Sequence, residues 1–257
     1  MNKIFMGLCI LSTLAFSNEI AFIEGVDGVT RRVVINNNGD IVKTFGYKFD
    51  NTMWKMIKKH EGPYSNKNAD SGGRTIWGIS CKKNPKARIC KEHYRVMALK
   101  KWKLSNKTVA KIYLQDEAKA FYKGWWNKYK FNKLTNPKIA RFLFDQFLPN
   151  KHGALQVAHR AVGYGNGKHL DQRLINKLNR MDTRTFFVNY KIAMMKRYVN
   201  IAPKGKNIKH FRGWVRRIAS QGPGKSDYRL KKIAIITKKK GSPWYQRKQV
   251  KRVLGMR

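Results

Sequence analysis

Two carboxylates and a threonine stand in one Gly- and Asn-rich stretch, HEGPYSNKNADSGGRTIWGIS (residues 60–80), of a chain that has only 14 acidic residues. Asp70 follows Glu61 by nine positions, and Thr75 follows Asp70 by five. Paired carboxyl groups suit cleavage of a glycosidic bond. One protonates the leaving oxygen; the other attacks, activates water or stabilises the oxocarbenium-like transition state. Glu61 fits the acid role. Met53, Trp54, Ile57 and Glu61 share one face of a helix, so the carboxyl should be partly desolvated, and a helix C-terminus disfavours an anion. Both effects raise a carboxyl pKa, and the surrounding positive charge opposes them. Asp70 reads either as the second catalytic group or as a turn carboxylate bonding backbone N–H groups beside Ser71-Gly72-Gly73. Thr75 reads either as a residue that orients water or as a plain backbone position.

The elements that must hold these groups are mostly helical. Asp50 or Asn51 can cap a helix running to about His60, with Gly62 stopping it. Residues 62–80 read as loops or a short irregular ribbon. Further helices are predicted over 91–101, 106–113, 115–128, 137–147, 152–162, 170–179, 183–200 and 207–219. Pro137 suits a first helical turn and Thr183 an N-cap. Phe186, Phe187, Tyr190, Ala193, Met194 and Tyr198 have helical spacing and read as core. Upstream, the β-branched runs Val29–Ile35 and Ile41–Phe45 flank Asn36-Asn37-Asn38-Gly39-Asp40, a hairpin signal.

Charge narrows the partners. The 257-residue chain carries 56 Lys+Arg against 14 Asp+Glu, a net charge of +42, and 42% hydrophobic residues. Such a chain can bury a core and is not a disordered polycation. Its field attracts polyanions: nucleic acid, anionic lipid or the acidic groups of a cell wall. Met1–Lys3 is a positive n-region, Ile4–Phe16 an apolar run of thirteen residues, and Ala15-Phe16-Ser17 a small-x-small cleavage site. Residues 1–17 therefore read as a secretory signal, too short for a comfortable membrane span. Export, to the periplasm or outside the cell, argues against a specific nucleic-acid partner. Cys9 would be lost with the signal. Cys81 and Cys90 remain and can close a local disulfide loop, which Asn84-Pro85 helps to turn. His60 and His93 lie nearby, but the spacing fits no standard zinc site, so no metal and no cofactor are expected. The segment 225–257 holds twelve Lys+Arg and a single Asp. It reads as a solvated, partly disordered tail that grips anionic envelope polymers or lipid.

The whole stretch is more specific than its spacing. The gaps between Glu61, Asp70 and Thr75 are similar to the catalytic spacing of phage-type lysozymes, whose second gap is one residue longer. His60-Glu61-Gly62-Pro63-Tyr64, then Asp70-Ser71-Gly72-Gly73, then Thr75-Ile76-Trp77-Gly78-Ile79-Ser80 resemble the signatures of the glycoside hydrolase family 108 N-acetylmuramidases of phage endolysins and toxin-secretion systems. The family's pattern is His-Glu-Gly-Gly-Tyr, Asp-Pro-Gly-Gly and Thr-Asn-Tyr-Gly-Ile-Thr. Pro63, Ser71, Ile76 and Trp77 are departures, and both carboxylates are kept. The stretch 115–129 is similar to the family's helix ending in Tyr-Trp. Residues 142–163 and Phe211–Arg217 resemble its C-terminal peptidoglycan-binding region.

The resemblance implies a mostly α, lysozyme-like fold with a small β-hairpin near the N-terminus. It implies a catalytic region over 50–135 and a helical peptidoglycan-binding region over 136–220, flanked by an extension over 18–49 and a basic tail over 221–257. It implies hydrolysis of the β-1,4 bond between N-acetylmuramic acid and N-acetylglucosamine, with Glu61 as the acid and Asp70 and Thr75 assisting. Tyr64, Trp77, Tyr122, Trp126 and Asp145 are the candidate substrate-binding residues. Flat aromatic faces stack on pyranose rings; Phe121 and Trp125 read as core, and Tyr122 and Trp126 as either core or sugar contacts. Asp145 is either a second site carboxylate or a buried helix-capping group. A lytic transglycosylase using the same glutamate is the rival enzyme, and a non-catalytic basic wall-binding protein the rival of another class.

Overall fold

The computed structural model describes residues 19–24, 30–35, 41–44, 46–66, 73–99, 104–203, 205–220, 227–238 and 241–256. The expected signal segment, the turn at Asn36–Asp40 and Asp70 lie outside them. The architecture is mostly α with two small antiparallel sheets, in keeping with the lysozyme-like class. The chain divides into two compact units, Lys48–Asn132 and Met1–Tyr47 with Lys133–Arg257.

In the unit Lys48–Asn132, helix α1 (Asn51–His60) begins where the Asp50 carboxylate accepts the Met53 N–H at 2.8 Å. Its buried face is Met53, Trp54 and Ile57, the stripe that the spacing predicts. The helix ends at His60, as expected. Glu61 itself leaves the helical region (φ −107°, ψ 123°) while its N–H still donates to the Ile57 carbonyl. Lys58, Lys59 and His60 occupy the last turn, where cations complement the helix dipole. Three two-residue strands follow: β4 (Tyr64–Ser65), β5 (Thr75–Ile76) and β6 (Ile79–Ser80). The order is β4-β5-β6, with Ile76 opposite both Tyr64 and Ile79. Helices α2 (Arg88–Leu99), α3 (Asn106–Tyr113) and α4 (Gln115–Lys128) complete the unit. The Cys81–Cys90 disulfide ties the end of the sheet to α2. The core combines the α1 stripe with Ile76, Ile89, Val109, Tyr122, Trp126 and Phe131.

In the other unit, β1 (Glu19–Glu24), β2 (Thr30–Ile35) and β3 (Ile41–Thr44) form a meander. The expected hairpin is β2–β3; β1 adds a third strand, pairing from Glu19 opposite Ile35 to Glu24 opposite Thr30. Helices α5 (Pro137–Phe147), α6 (Lys151–Ala161), α7 (Gln172–Arg180), α8 (Thr183–Ile201) and α9 (Phe211–Ser220) follow. Pro137 opens α5 as expected, behind an Asn136 cap. Thr183 does not cap α8. Asp182 does so through the Thr185 N–H, and Thr183 is buried as the partner of Asn136 at 2.7 Å. The carboxylate is the better group there because the helix N-terminus is positive. Phe142 packs on Phe187 and Tyr190, with ring centroids 4.4 and 5.1 Å apart, so the aromatic stripe of α8 is core.

The basic tail is not a disordered appendage within its described residues. Helices α10 (Tyr228–Lys238) and α11 (Pro243–Val253) bury Leu230, Ile233, Thr237, Gln246 and Val250. Arg212 donates to the Thr237 carbonyl, and Arg247 to the Val199 carbonyl. The tail's net charge conceals an apolar residue every three or four positions, enough for two amphipathic helices.

Candidate active site

Glu61 ends α1, so its side chain projects from a fixed terminus and not from a loop. It is half-buried. What it projects against is the β5–β6 turn, made of Trp77 and Gly78. Both residues have positive φ, 50° and 76°, the pattern of a two-residue hairpin of the I′ type. A Cβ added at Gly78 would stand 2.7 Å from the Glu61 Cδ and 2.8 Å from its Cγ. Glycine is therefore required twice, for the left-handed backbone and for room beside the carboxyl.

Trp77 is an unusual residue for the left-handed region, where a side chain costs about 1–2 kcal/mol. Each polar group of this tryptophan is anchored. Its N–H donates to the Pro63 carbonyl at 3.0 Å. Its carbonyl accepts the Tyr122 O–H at 2.6 Å. Its indole N–H donates to the Ala110 carbonyl at 2.9 Å. The ring also meets Trp54 edge-on, 5.6 Å between centroids. The turn that faces Glu61 is thus tied to the segment just after Glu61 and to α1, α3 and α4. Burial, and after it the Glu61 carboxylate, push the Tyr122 hydroxyl well above the ordinary tyrosine range, so it remains a proton donor to Trp77.

Thr75 lies on β5 opposite Ser65 and Ser80, half-buried and two residues before the turn. Tyr64, on β4, stacks on His93 with centroids 5.5 Å apart and planes 15° from parallel. Arg74 Nη1 stands 3.3 Å from His93 Nδ1, and its guanidinium lies 3.9 Å over the exposed Tyr94 ring. Burial and then the Arg74 charge hold His93 below the ordinary histidine value. Given that neighbour, a neutral imidazole accepting at Nδ1 is the favoured form.

Burial separates the aromatic candidates. Tyr122 and Trp126 are buried and Trp77 is 5% exposed, so their faces are covered by protein and are not open to a sugar. Phe121 and Trp125, expected in the core, are half-buried, with centroids 4.8 Å apart. The cause is helical phase: the face of Ala118, Tyr122 and Trp126 points inward. Asp145 belongs to the other unit. It sits buried within α5, accepting from Gln146 Nε2 at 3.1 Å and lying 3.6 Å from Arg217. Arg74, Gly78 and His93 join the candidates through these contacts, and sequence reasoning did not select them. A glycine between Thr-Ile-Trp and Ile-Ser was the available sign of the turn.

Residues 54–149 match the family model described as Glycosyl hydrolase 108. No curated protein matches the chain. Among solved structures, the chain is similar to that of SagA from Brucella abortus, at 16% sequence identity and a TM-score of 0.47, over 74% of this chain and 95% of that one.

Proposed function

We propose, from the premise that residues 54–149 carry a glycoside hydrolase domain of family 108, that the domain is an N-acetylmuramidase whose catalytic acid is Glu61. Its substrate is peptidoglycan, and the bond cleaved is the β-1,4 link between N-acetylmuramic acid and N-acetylglucosamine. The observation that supports this reading most is the seating of the Glu61 side chain against Gly78, at a turn anchored by all the polar groups of Trp77. A carboxyl that must deliver a proton along a defined line benefits from such a fixed wall, because misplacement of a catalytic group is costly.

In the mechanism, protonated Glu61 gives its proton to the glycosidic oxygen as the C–O bond breaks, and positive charge develops on the sugar ring. Asp70 stabilises that charge or positions the attacking water, assisted by Thr75. Water completes hydrolysis and leaves a reducing end. General acid catalysis of this kind contributes about 10²–10⁴-fold. The Cys81–Cys90 bridge suits an oxidising compartment, which agrees with export directed by residues 1–17.

The test is digestion of purified sacculi, with the products read by mass spectrometry. Fragments ending in reducing N-acetylmuramic acid are expected. Anhydro-muramic ends would make the enzyme a lytic transglycosylase using the same glutamate.

A further inference from the structure

Helices α10 and α11 form a hairpin with one face committed and one face open. The committed side buries Leu230, Ile233 and Val250. The exposed apolar residues of the two helices are of a particular kind. Tyr228 is 71% exposed, Ile235 58%, Trp244 52% and Tyr245 62%. Tyr228, Lys232 and Ile235 fall at i, i+4 and i+7, on one stripe of α10. Ile235 and Tyr245 line a shared cleft of about 600 Å³ together with Lys232 and Arg252.

The charge around this face has one sign. Lys231, Lys232, Lys238, Lys248 and Arg252 are all exposed. The single acid of the segment, Asp227, is already engaged. It accepts the Leu230 N–H at 3.2 Å and pairs with Arg229 at 3.3 Å. Among the described residues, none of these five cations forms an ion pair.

Tyrosine, tryptophan and isoleucine exposed among lysines and arginines match the interfacial zone of an anionic bilayer. Aromatic rings settle at headgroup level, aliphatic side chains reach the acyl boundary, and cations meet phosphate. A hydrated anionic polymer would satisfy the cations and leave Ile235 and the aromatic rings in water. No helix among the described residues is long and apolar enough to cross a membrane, so the contact is with the surface.

We propose that the α10–α11 face, with Tyr228, Ile235, Trp244 and Tyr245 inserted and the flanking lysines and arginines on phosphate, docks this protein on an anionic phospholipid surface. The proposal does not depend on the role of Glu61. Because the whole chain is basic, simple sedimentation with vesicles cannot test it. The measurement is the Trp244 emission in the full chain, taken as wild type minus Trp244→Phe. It is followed on mixed phosphatidylglycerol–phosphatidylcholine vesicles with brominated acyl chains.

A blue shift and quenching of that component are expected. Both should be absent on phosphatidylcholine alone and lost in the Ile235→Ser/Tyr245→Ser variant, with helix content unchanged by circular dichroism. Three results would overturn the proposal. One is vesicle binding with the Trp244 component unaltered, which would mean docking by general charge elsewhere. Another is quenching undiminished in the double variant. The third is a Trp244 response to soluble polyglycerol phosphate but not to vesicles, which would make the partner a wall polymer.

Discussion

The carboxyl-bearing side chain of Glu61 lies directly against the backbone of Gly78, with no room for a methyl group between them. Residues seventeen positions apart in the chain thereby define one wall of the site. Gly78→Ala should therefore fail in two ways. The added carbon must displace the carboxyl, and the left-handed backbone costs about 1–2 kcal/mol. Turnover of sacculi is expected to fall by about 10²-fold, the scale of a misplaced catalytic group, while thermal unfolding shows only the smaller stability loss. Full turnover in the variant would show that the contact does not matter to the chemistry.

Tyr122 should act on the site through Trp77. Tyr122→Phe removes only the hydroxyl that donates to the Trp77 carbonyl. An orphaned buried acceptor costs about 1–3 kcal/mol, so the unfolding midpoint in denaturant should drop accordingly. If the turn steers Glu61, kcat should also fall, with KM nearly constant. A stability loss with kcat intact would reduce Tyr122 to a packing residue.

His93 should give the unit Lys48–Asn132 a dependence on pH. Its folded pKa lies below the ordinary 6.5, chiefly through burial and then through Arg74. The unfolded state therefore binds the proton more readily than the folded one. The stabilisation is fully present above about pH 6.5 and is lost as pH falls toward the folded value. Melting curves of wild type and His93→Gln across this range should show a steeper acid-side decline for the wild type. Parallel curves would remove the histidine from the account.

The Cys81–Cys90 bridge closes a short loop, with a sequence separation of nine. Chain-entropy reasoning gives about 2–3 kcal/mol for such a loop. Cys81→Ser/Cys90→Ser should lose stability of that order by chemical denaturation, and mild reductant should have the same effect on the wild type. An unchanged midpoint would mean the sheet and α2 hold together without it.

Much of this was readable in the sequence, for identifiable reasons. Apolar periodicity with Asp50 and Pro137 as punctuation located α1 and α5, because capping and ring geometry act within a few residues. Thr183 misled because two adjacent residues competed for one cap and the carboxylate won. The tail misled because twelve cations outweighed the regular placement of Leu230, Ile233 and Val250. Glu61 was legible from its motif and the apolar face of α1 from its spacing, whereas the turn that Glu61 faces was not. The anchors of Trp77 come from Pro63, Ala110 and Tyr122, and long-range pairings leave no periodic trace. Tyr122 and Trp126 read as either core or sugar contacts because composition shows an aromatic ring without showing which face of α4 it occupies.

The most direct test of the central claim is the turnover of purified peptidoglycan by Glu61→Gln beside the wild type. The substitution keeps the shape against Gly78 and removes the proton. The wild type is expected to release soluble muropeptides and the variant to lose activity by about 10²-fold or more, with unchanged binding to the sacculi. Equal release by the two proteins would contradict Glu61 as the catalytic acid.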